Sequence, residues 1–312
     1  MNTILGLDIG GTKTAVVLGD HDARIVHRTV FETRPERGFA ATWAELRDHI
    51  ATAQRRATEL ARTVDAVSVS IGGPLQIEPG IIKSPPNLPG WDDIPLKQLL
   101  ADLTGLPVYI EHDGNAGALA EWLFGAARGA RNVIFLTMGT GFGGGLILNG
   151  QLYRGTCDTA GEVGHVRIAD DGPVGFGKAG SWEGLCAGAG VAKLAAVRHP
   201  ERWPADKVTA RDVAEAALAG DAQAVAVLRE VGGHLGRGLA ILVDVLNPEV
   251  IVIGALAVRL GDLVLGPARQ VLAREALPDA VRVCRVLPAG LGERIGDVAC
   301  LCAAIVAVGK HA

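Results

Sequence analysis

The sequence predicts an α/β protein that contains the same glycine-centred unit twice. In the first unit, an apolar run at 4–8 leads through a glycine loop at 9–14 into a second apolar run at 15–18. The second unit repeats this order, with apolar runs at 133–137 and 146–148 around a glycine loop at 138–145. Each unit is followed by segments that alternate between strand and helix periodicity. This pattern favours mixed β-sheets flanked by helices.

The first half continues with a turn at 19–22, from which a third strand runs over 24–31. An amphipathic helix is predicted at 42–63, followed by a buried strand at 66–71 that ends at Gly72-Gly73-Pro74. A proline-rich loop at 84–91 precedes a short helix that ends at Thr104. A further strand at 108–111 runs into His112-Asp113-Gly114-Asn115, where a helix begins and continues to near Gly125.

In the second half, Asn149-Gly150 is the strongest signal for a hairpin, and residues 156–190 are glycine-rich and irregular. The remaining predicted elements are helices at 191–197, 210–218, 222–244, 260–276 and 297–308, and strands at 250–253 and 281–286. We place a domain border at 113–125. The smaller N-terminal domain then covers 1–115 and is joined by the C-terminal helix 295–312, and the larger domain covers 116–294.

Composition narrows the class of protein. The chain has 312 residues, of which 49% are hydrophobic and 21% charged, as expected for a folded enzyme. A net charge of −4 gives no electrostatic basis for binding nucleic acid. The spacing of the five cysteines does not match a disulfide framework. The chain begins in a strand pattern, and charged residues and a proline interrupt the apolar stretch 239–258. We therefore expect a cytoplasmic protein with reduced thiols, no signal peptide and no membrane span.

The two glycine loops predict phosphate binding, because such loops direct several backbone N–H groups toward one point. Read alone, Gly139-x-Gly141-x-x-Gly144 also fits a dinucleotide fingerprint, with Asp158 downstream as its acidic residue. That fingerprint needs a helix after the loop, whereas here a hairpin follows. Gly-Lys-Ser/Thr is absent, which excludes a P-loop of the Walker type. The simpler alternative is that the glycines only permit tight turns. Asp8, beside the first loop, would hold Mg²⁺ or cap the turn.

Five segments together resemble the ROK family of repressors and sugar kinases, within the actin-like ATPase superfamily. They are Leu7–Lys13, Pro86–Trp91, Glu111–Ala116, the second glycine loop and Gly161–His165, and they occur in this order along nearly the whole chain. The resemblance implies two actin-like (ribonuclease H-like) domains with the active-site cleft between them, and ATP, Mg²⁺ and a hexose as ligands. The ATP-binding residues that it implies are Asp8, Gly10, Gly11, Thr12, Lys13, Thr14, Thr140, Gly141 and Gly254.

The resemblance also implies an acceptor site, with Asp113 as catalytic base. A carboxylate that joins a buried strand to a helix start is held rigidly, although Asp at this position is often only a helix cap. The implied sugar-binding residues are Gly73, Asn87, His112, Asp113, Glu162, His165 and Glu183. Taken singly, these have ordinary alternatives, such as a turn asparagine, solvated glutamates and a core histidine.

The sequence departs from the family at three places. Where many members carry three zinc-binding cysteines, this chain has Val174, Phe176 and Ser181, so we expect no zinc and expect the two apolar side chains to pack the loop. His112 stands where asparagine is usual. Ala255 and Leu256 follow the strand 250–253 in place of glycines, which would narrow the adenine pocket that the resemblance implies.

The predicted function is an ATP-dependent hexose kinase, with glucose as the first candidate acceptor. N-acetylmannosamine, N-acetylglucosamine, mannose or fructose are alternative acceptors, and polyphosphate is an alternative donor. A sugar-responsive regulator of the same family is a rival, disfavoured because the phosphate strand starts at Ile4 and leaves no room for a DNA-binding domain before it. A sugar-binding relic without activity is another rival. The resemblance also leads us to expect a homodimer.

Overall fold

A computed structural model describes residues 2–205 and 207–308 of the chain. The described residues form two compact units, which we call unit 1 and unit 2. Unit 1 takes its residues from 1–120, 154–160 and 293–312, and unit 2 takes its residues from 121–153 and 161–292.

The sheet of unit 1 has five strands in the order β3-β2-β1-β4-β7. Its strands are β1 (Asn2–Ile9), β2 (Lys13–Gly19), β3 (Ile25–Glu32), β4 (Thr63–Ile71) and β7 (Val108–His112). The first three strands pair antiparallel, and β1, β4 and β7 run parallel. Two further short strands, β5 (Leu75–Gln76) and β6 (Ile81–Ile82), form a separate hairpin.

Helices pack on this sheet and complete the core of unit 1. They are α1 (Gly38–Glu59), α2 (Leu96–Thr104), the start of α3 (Asp113–Phe124) and α11 (Ile295–Val308). Leu46 and Ile50 of α1 and Leu100 of α2 join one buried cluster with the strands. Helix α11 lies so close to β1 that a Cβ added at Gly6 would be 2.7 Å from Cys300 Sγ. The predicted helix 295–312 extends into 309–312, which lie outside the described residues.

The sheet of unit 2 has the same design, in the order β10-β9-β8-β13-β14. Its strands are β8 (Val133–Met138), β9 (Phe142–Leu148), β10 (Gln151–Tyr153), β13 (Val250–Ile253) and β14 (Arg285–Pro288). Again the first three strands pair antiparallel and the last two add in parallel. The Asn149-Gly150 turn closes β9 and β10 with both residues at positive φ, 55° and 79°. The repeated glycine-centred unit therefore corresponds to a repeated sheet, and the predicted mixed α/β fold is confirmed.

The helices of unit 2 are numbered along the chain. After the end of α3 they are α4 (Trp182–Cys186), α5 (Gly188–Arg198), α6 (Ala210–Leu218), α7 (Ala222–Leu246), α8 (Leu256–Leu260), α9 (Asp262–Glu275) and α10 (Pro278–Val283). A small hairpin of β11 (Val174–Gly175) and β12 (Lys178–Ala179) lies before α4. None of the helices described here is long and apolar enough to cross a bilayer.

Three predicted elements differ in detail from the structure. In the predicted strand 281–286, residues 281–283 belong to helix α10, which Pro278 starts with its fixed φ, and strand pairing begins only at Arg285. The predicted helix 260–276 corresponds to α9, which begins two residues later, because Gly261 at φ 50° separates it from Leu260, the last residue of α8. The irregular segment 156–190 contains the β11–β12 hairpin and α4, and α5 starts at Gly188 rather than at residue 191.

Candidate active site

The first glycine loop connects β1 and β2 and is held by its own hydrogen bonds. Gly10 N donates to Lys13 O at 3.1 Å, and the Thr33 hydroxyl donates to Gly10 O at 2.6 Å. Thr14 is fully buried, with its hydroxyl 2.9 Å from that of Thr33, so it supports the loop from inside. Thr12 and Lys13 are exposed on the outer side. Sequence reasoning missed Thr33, because no pattern in the chain marks a lone threonine after a strand as a loop support.

Asp8 ends β1 next to this loop. Desolvation raises the pKa of its carboxyl to about 6, and the negative charges of Asp113 and Asp297 add to the increase. Lys13 and a hydrogen bond with Ser70 act in the opposite direction. The position therefore has an excess of negative charge that a bound cation would relieve.

The predicted acceptor residues of unit 1 meet beside Gly72 and Gly73, at the carboxyl end of β4. A Cβ added at Gly72 would lie 3.4 Å from Asn87 Nδ2 and 3.7 Å from Asp113 Oδ2, so the amide and the carboxylate both face this residue. A Cβ added at Gly73 would be 2.9 Å from His112 Cδ2. Glycine at 73 therefore makes room for an imidazole at 112.

Asp113 is the first residue of α3 and remains accessible. Its side chain is 53% exposed, and its Oδ1 accepts a hydrogen bond from Gly114 N at 2.7 Å. His112 Nδ1 lies 3.3 Å from the same oxygen. The glycine loop reaches this cluster directly, since a Cβ added at Gly11 would lie 2.6 Å from Asn87 O. A base candidate and a phosphate loop candidate thus belong to one continuous surface of unit 1.

The second glycine loop lies between β8 and β9 in unit 2. Gly139 N donates to Gly141 O at 3.0 Å, and Gly188 N, the first residue of α5, donates to Gly139 O at 2.8 Å. Thr140 is exposed at the tip. Gly254 follows β13 and donates to Leu136 O at 2.8 Å, which places the end of β13 beside the loop.

Glu183 connects this loop to the segment Gly161–His165. Its Oε2 accepts a hydrogen bond from Phe142 N at 3.0 Å. Burial raises the pKa of Glu183 above its ordinary value, opposed by the Phe142 N–H and the charge of His165, while the charge of Glu162 adds to the increase. Glu162, His165 and Glu183 are therefore close enough to influence one another electrostatically.

The β11–β12 hairpin carries two of the three positions where zinc ligands were considered. Phe176 stacks on the His165 ring, with centroids 3.7 Å apart and planes at 18°. The expectation that Val174 and Phe176 pack the loop was wrong, because the two residues are 50% and 47% exposed, and Phe176 packs through its contact with His165. Ser181 is fully buried and accepts a hydrogen bond from Gly184 N, so it caps α4. Across residues 2–205 and 207–308, no group of three or more His, Cys, Asp or Glu is arranged to hold a metal ion.

A cavity of about 810 Å³ opens beside the second glycine loop, wholly within unit 2. Its wall consists of small and apolar residues from α5, α6 and the start of α8, with charged residues among them. Examples are Ala189, Ala192, Arg211, Ala255, Leu256 and Arg259. Its size suits a drug-sized or nucleoside-sized ligand.

The predicted site residues thus form two groups. Unit 1 contains Asp8, Gly10, Gly11, Thr12, Lys13, Thr14, Gly73, Asn87, His112 and Asp113, and unit 2 contains Thr140, Gly141, Glu162, His165, Glu183 and Gly254. Within each group, the glycine loop lies next to candidate sugar-binding side chains. Each unit therefore has a glycine loop next to polar side chains.

Comparison with known proteins identifies the family. The sequence pattern of the ROK family matches residues 4–304. The chain belongs to the ROK family. The resemblance inferred from its motifs is confirmed.

Several ROK proteins are similar to this chain over most of its length. A glucokinase from Halalkalibacterium halodurans is 34% identical over 94% of this chain and 92% of its own length. A solved structure is also similar: the crystal structure of a ROK family glucokinase from Streptomyces griseus in complex with glucose and AMPPNP. The match covers 96% of this chain and 97% of the glucokinase chain, with a TM-score of 0.78 and 33% sequence identity. The family also contains repressors: a xylose repressor from Bacillus spizizenii is 29% identical over 93% of this chain and 73% of its own length.

Proposed function

We propose that this protein is an ATP-dependent hexose kinase whose acceptor is glucose. The observation that carries the proposal is the similarity to glucokinases along nearly the whole chain. The hexose kinase activity that the motifs predicted agrees with these relatives. The site geometry adds a base candidate, two phosphate loops and a set of polar side chains for hydroxyl groups.

Asp113 is the proposed general base. Phosphoryl transfer needs a group that accepts the proton of the attacking hydroxyl while that oxygen bonds to the γ-phosphorus and the bond to the ADP oxygen breaks. The Asp113 carboxylate is anchored through Oδ1 by Gly114 N, which leaves Oδ2 on the side of Asn87. Its exposure lets a substrate hydroxyl reach it.

Sugar hydroxyls both donate and accept hydrogen bonds, so their site needs amides, carboxylates and imidazoles together. Asn87 and His112 supply these groups beside Asp113 in unit 1, with Gly73 leaving space for the imidazole. Glu162, His165 and Glu183 supply them in unit 2. Phe176 against His165 offers an apolar face, as sugar sites commonly need for the C–H side of a ring.

A nucleotide is the proposed phosphoryl donor. Glycine loops of this kind commonly bind phosphate through backbone N–H groups, and in unit 2 the cavity beside Gly139 and Thr140 offers an apolar wall for a base. Polyphosphate has no base to occupy such a wall. The cavity therefore supports ATP over polyphosphate.

Magnesium is the proposed metal, with Asp8 as its protein ligand. Mg²⁺ is usually held by one or two carboxylates together with substrate phosphates, so a protein cage of several ligands is not required. The raised pKa of Asp8 and the nearby Asp113 and Asp297 charges fit a cation at this position. Bound there, Mg²⁺ would neutralise charge on the phosphate oxygens.

Two further proposals concern the state of the protein in the cell. We propose a homodimer, for which light scattering during gel filtration is the direct measurement. We also propose a reducing cytoplasmic location. The five cysteines, all free in the structure, support it.

The test is an ADP-release assay with ATP and a panel of sugars. The panel includes glucose, mannose, fructose, N-acetylglucosamine and N-acetylmannosamine, because His112 replaces an asparagine at the acceptor site. We expect the highest kcat/KM with glucose. Asp113→Asn should lower kcat by about 10²- to 10⁴-fold while the sugar still binds. Wild-type protein that releases no ADP with any sugar would refute the kinase assignment.

A further inference from the structure

An ion pair between a buried carboxylate and a partly exposed arginine lies next to the proposed base and has no part in the function described so far. The Glu111 side chain is only 1% exposed, and it precedes His112 and Asp113 at the end of β7. Four donors satisfy its carboxylate. Oε1 accepts from His112 N at 3.0 Å and from Asn115 Nδ2 at 2.9 Å, and Oε2 accepts from Arg154 Nε at 2.9 Å and Nη2 at 2.6 Å.

The Glu111 carboxylate lies at the wall of a cavity of about 250 Å³ in unit 1. Arg154 lines this cavity too, with apolar Leu119, Ala303 and Val306 and with charged Glu78 and Lys97. Because the Glu111 side chain is buried, its removal from water is costly unless a cation or hydrogen-bond donors compensate it. Arg154 supplies this pairing in a bidentate arrangement, which also fixes the direction of the carboxylate plane.

Arg154 comes from a short segment whose course along the chain is unusual. Residues 154–160 belong to unit 1, whereas β10 before them and Gly161 after them belong to unit 2. Besides the ion pair, the hydrogen bond from Ile77 N to Asp158 Oδ2 at 3.2 Å joins this segment to the rest of unit 1, and the bond from Ala160 N to Arg154 O at 3.0 Å lies within it. This segment therefore supplies the Arg154 guanidinium that pairs with the buried Glu111, and it ends two residues before Glu162.

The two bonds made by Glu111 Oε1 lie on either side of Asp113 in sequence. One goes to the backbone of His112 and the other to the amide of Asn115 in the first turn of α3. A rotation of the Glu111 carboxylate would therefore break hydrogen bonds on both sides of the base, one to the backbone and one to a side chain of α3.

We propose that Glu111 and Arg154 are positioning residues for the base Asp113, with Arg154 holding the Glu111 carboxylate in the orientation that sets the first turn of α3. The proposal rests on the proposed kinase function and on the role of Asp113 within it. Neither residue touches the reacting atoms. Both act through the position of the Asp113 carboxylate.

The pair makes an asymmetric prediction for single substitutions. Arg154→Met leaves a buried carboxylate without its cation, so Glu111 turns away and the first turn of α3 shifts with it. A misplacement of about 1 Å costs about 10²-fold in rate, and we expect this loss in kcat. Glu111→Gln keeps an acceptor oxygen for His112 N and Asn115 and leaves the 40% exposed Arg154 side chain free to enter solvent, so its loss should be smaller.

The experiment measures kcat, KM for sugar and ATP, sugar dissociation constants by calorimetry, and thermal unfolding. Expected results are a kcat loss in R154M with nearly unchanged sugar affinity, and a partial return of activity in R154K, which restores the charge. The double variant E111Q/R154M should be about tenfold more active than R154M, because no buried charge is left unpaired. R56M is the matched control, since Arg56 forms an exposed ion pair with Glu59 in the same unit.

The decisive comparison uses a protein that lacks the base. In the Asp113→Asn background, Arg154→Met should reduce the residual rate no further, because a positioning residue has nothing left to position. An additional loss of about 10²-fold there would show that Arg154 acts independently of Asp113 and would overturn the proposal. Wild-type kcat in R154M, or equal impairment of R154M and E111Q/R154M, would also overturn it. If R154M does not fold, R154K and E111Q/R154M carry the same comparison.

A failure of the positioning role can be distinguished from a failure of the proposed function. If the wild-type protein releases no ADP with any sugar, the kinase assignment is wrong and the positioning role falls with it. If the wild type is active and Arg154→Met does not change kcat, only the positioning role is wrong.

Discussion

Ala255 is held in a backbone conformation that suits glycine. It follows β13 at φ 51° and ψ −109°, and α8 begins after it. This combination lies outside the right-handed and left-handed helical regions that L-residues with a Cβ occupy. Ala255 is exposed beside the unit 2 cavity, so a change of its side chain tests backbone strain with little change in packing.

The expected effect of Ala255→Gly follows from two opposing contributions. A residue in such a conformation costs about 1–3 kcal/mol, which glycine would relieve. Glycine also gives the unfolded chain more freedom, which costs about 0.5–1 kcal/mol. The net result is a protein that is more stable by about 1 kcal/mol.

Urea unfolding followed by tryptophan fluorescence measures this difference, since Trp182 and Trp203 are buried in unit 2. The matched control is Ala257→Gly, two residues further on. Ala257 is fully buried within α8, so its loss should destabilise by about 1–2 kcal/mol through helix propensity and the lost methyl group. The same substitution should thus have opposite signs at the two positions. If Ala255→Gly lowers the free energy of unfolding, the strain argument is refuted.

Two further predictions concern Gly161 and Glu183 of unit 2. Gly161→Ala should destabilise the protein by about 2–4 kcal/mol, because φ is 96° and a Cβ would lie 2.4 Å from Gly144 O in β9. Gly150→Ala is the control: at φ 79° with open space around it, it should cost only about 1 kcal/mol in the same urea experiment. Equal losses in the two variants would contradict the steric explanation. The pKa of Glu183 is raised by burial, so the carboxylate takes up a proton at a higher pH than an ordinary glutamate as the solution is acidified. As the pH falls, protonation removes the Glu183 carboxylate as a hydrogen-bond acceptor, and KM of the wild type for glucose should rise. In an assay of KM against pH, Glu183→Gln should flatten this dependence. A Gln variant with the wild-type pH profile would exclude Glu183 as its source.

The sequence predicted the parts of the fold that depend on local signals. Alternating apolar runs around 4–18 and 133–148 fixed two antiparallel hairpins, and the Asn149-Gly150 turn lies where this dipeptide favours positive φ. The element that failed most clearly, 281–286, is rich in β-branched residues that suit strand and buried helix alike. Pro278 and pairing of Arg285–Pro288 with β13 decided between them, and the pairing is not local.

The candidate site divides in the same way. Motif order alone identified Asp113, Glu162 and the glycine loops as residues of interest, because their chemistry is visible in the residue types. It could not show that Thr14 points into the protein toward Thr33, or that Phe176 covers His165. These contacts join residues far apart in the chain or depend on the exact rotation of a loop.

The sequence by itself therefore determined the class of fold, the family and the chemistry available to the site. Only the tertiary structure decided which polar groups are buried together, as in the pairing of Glu111 with Arg154 across 43 positions. The physical reason is that periodicity and turn propensity act over a few residues. The cost of burying a charge depends instead on which partner group the completed fold places next to it.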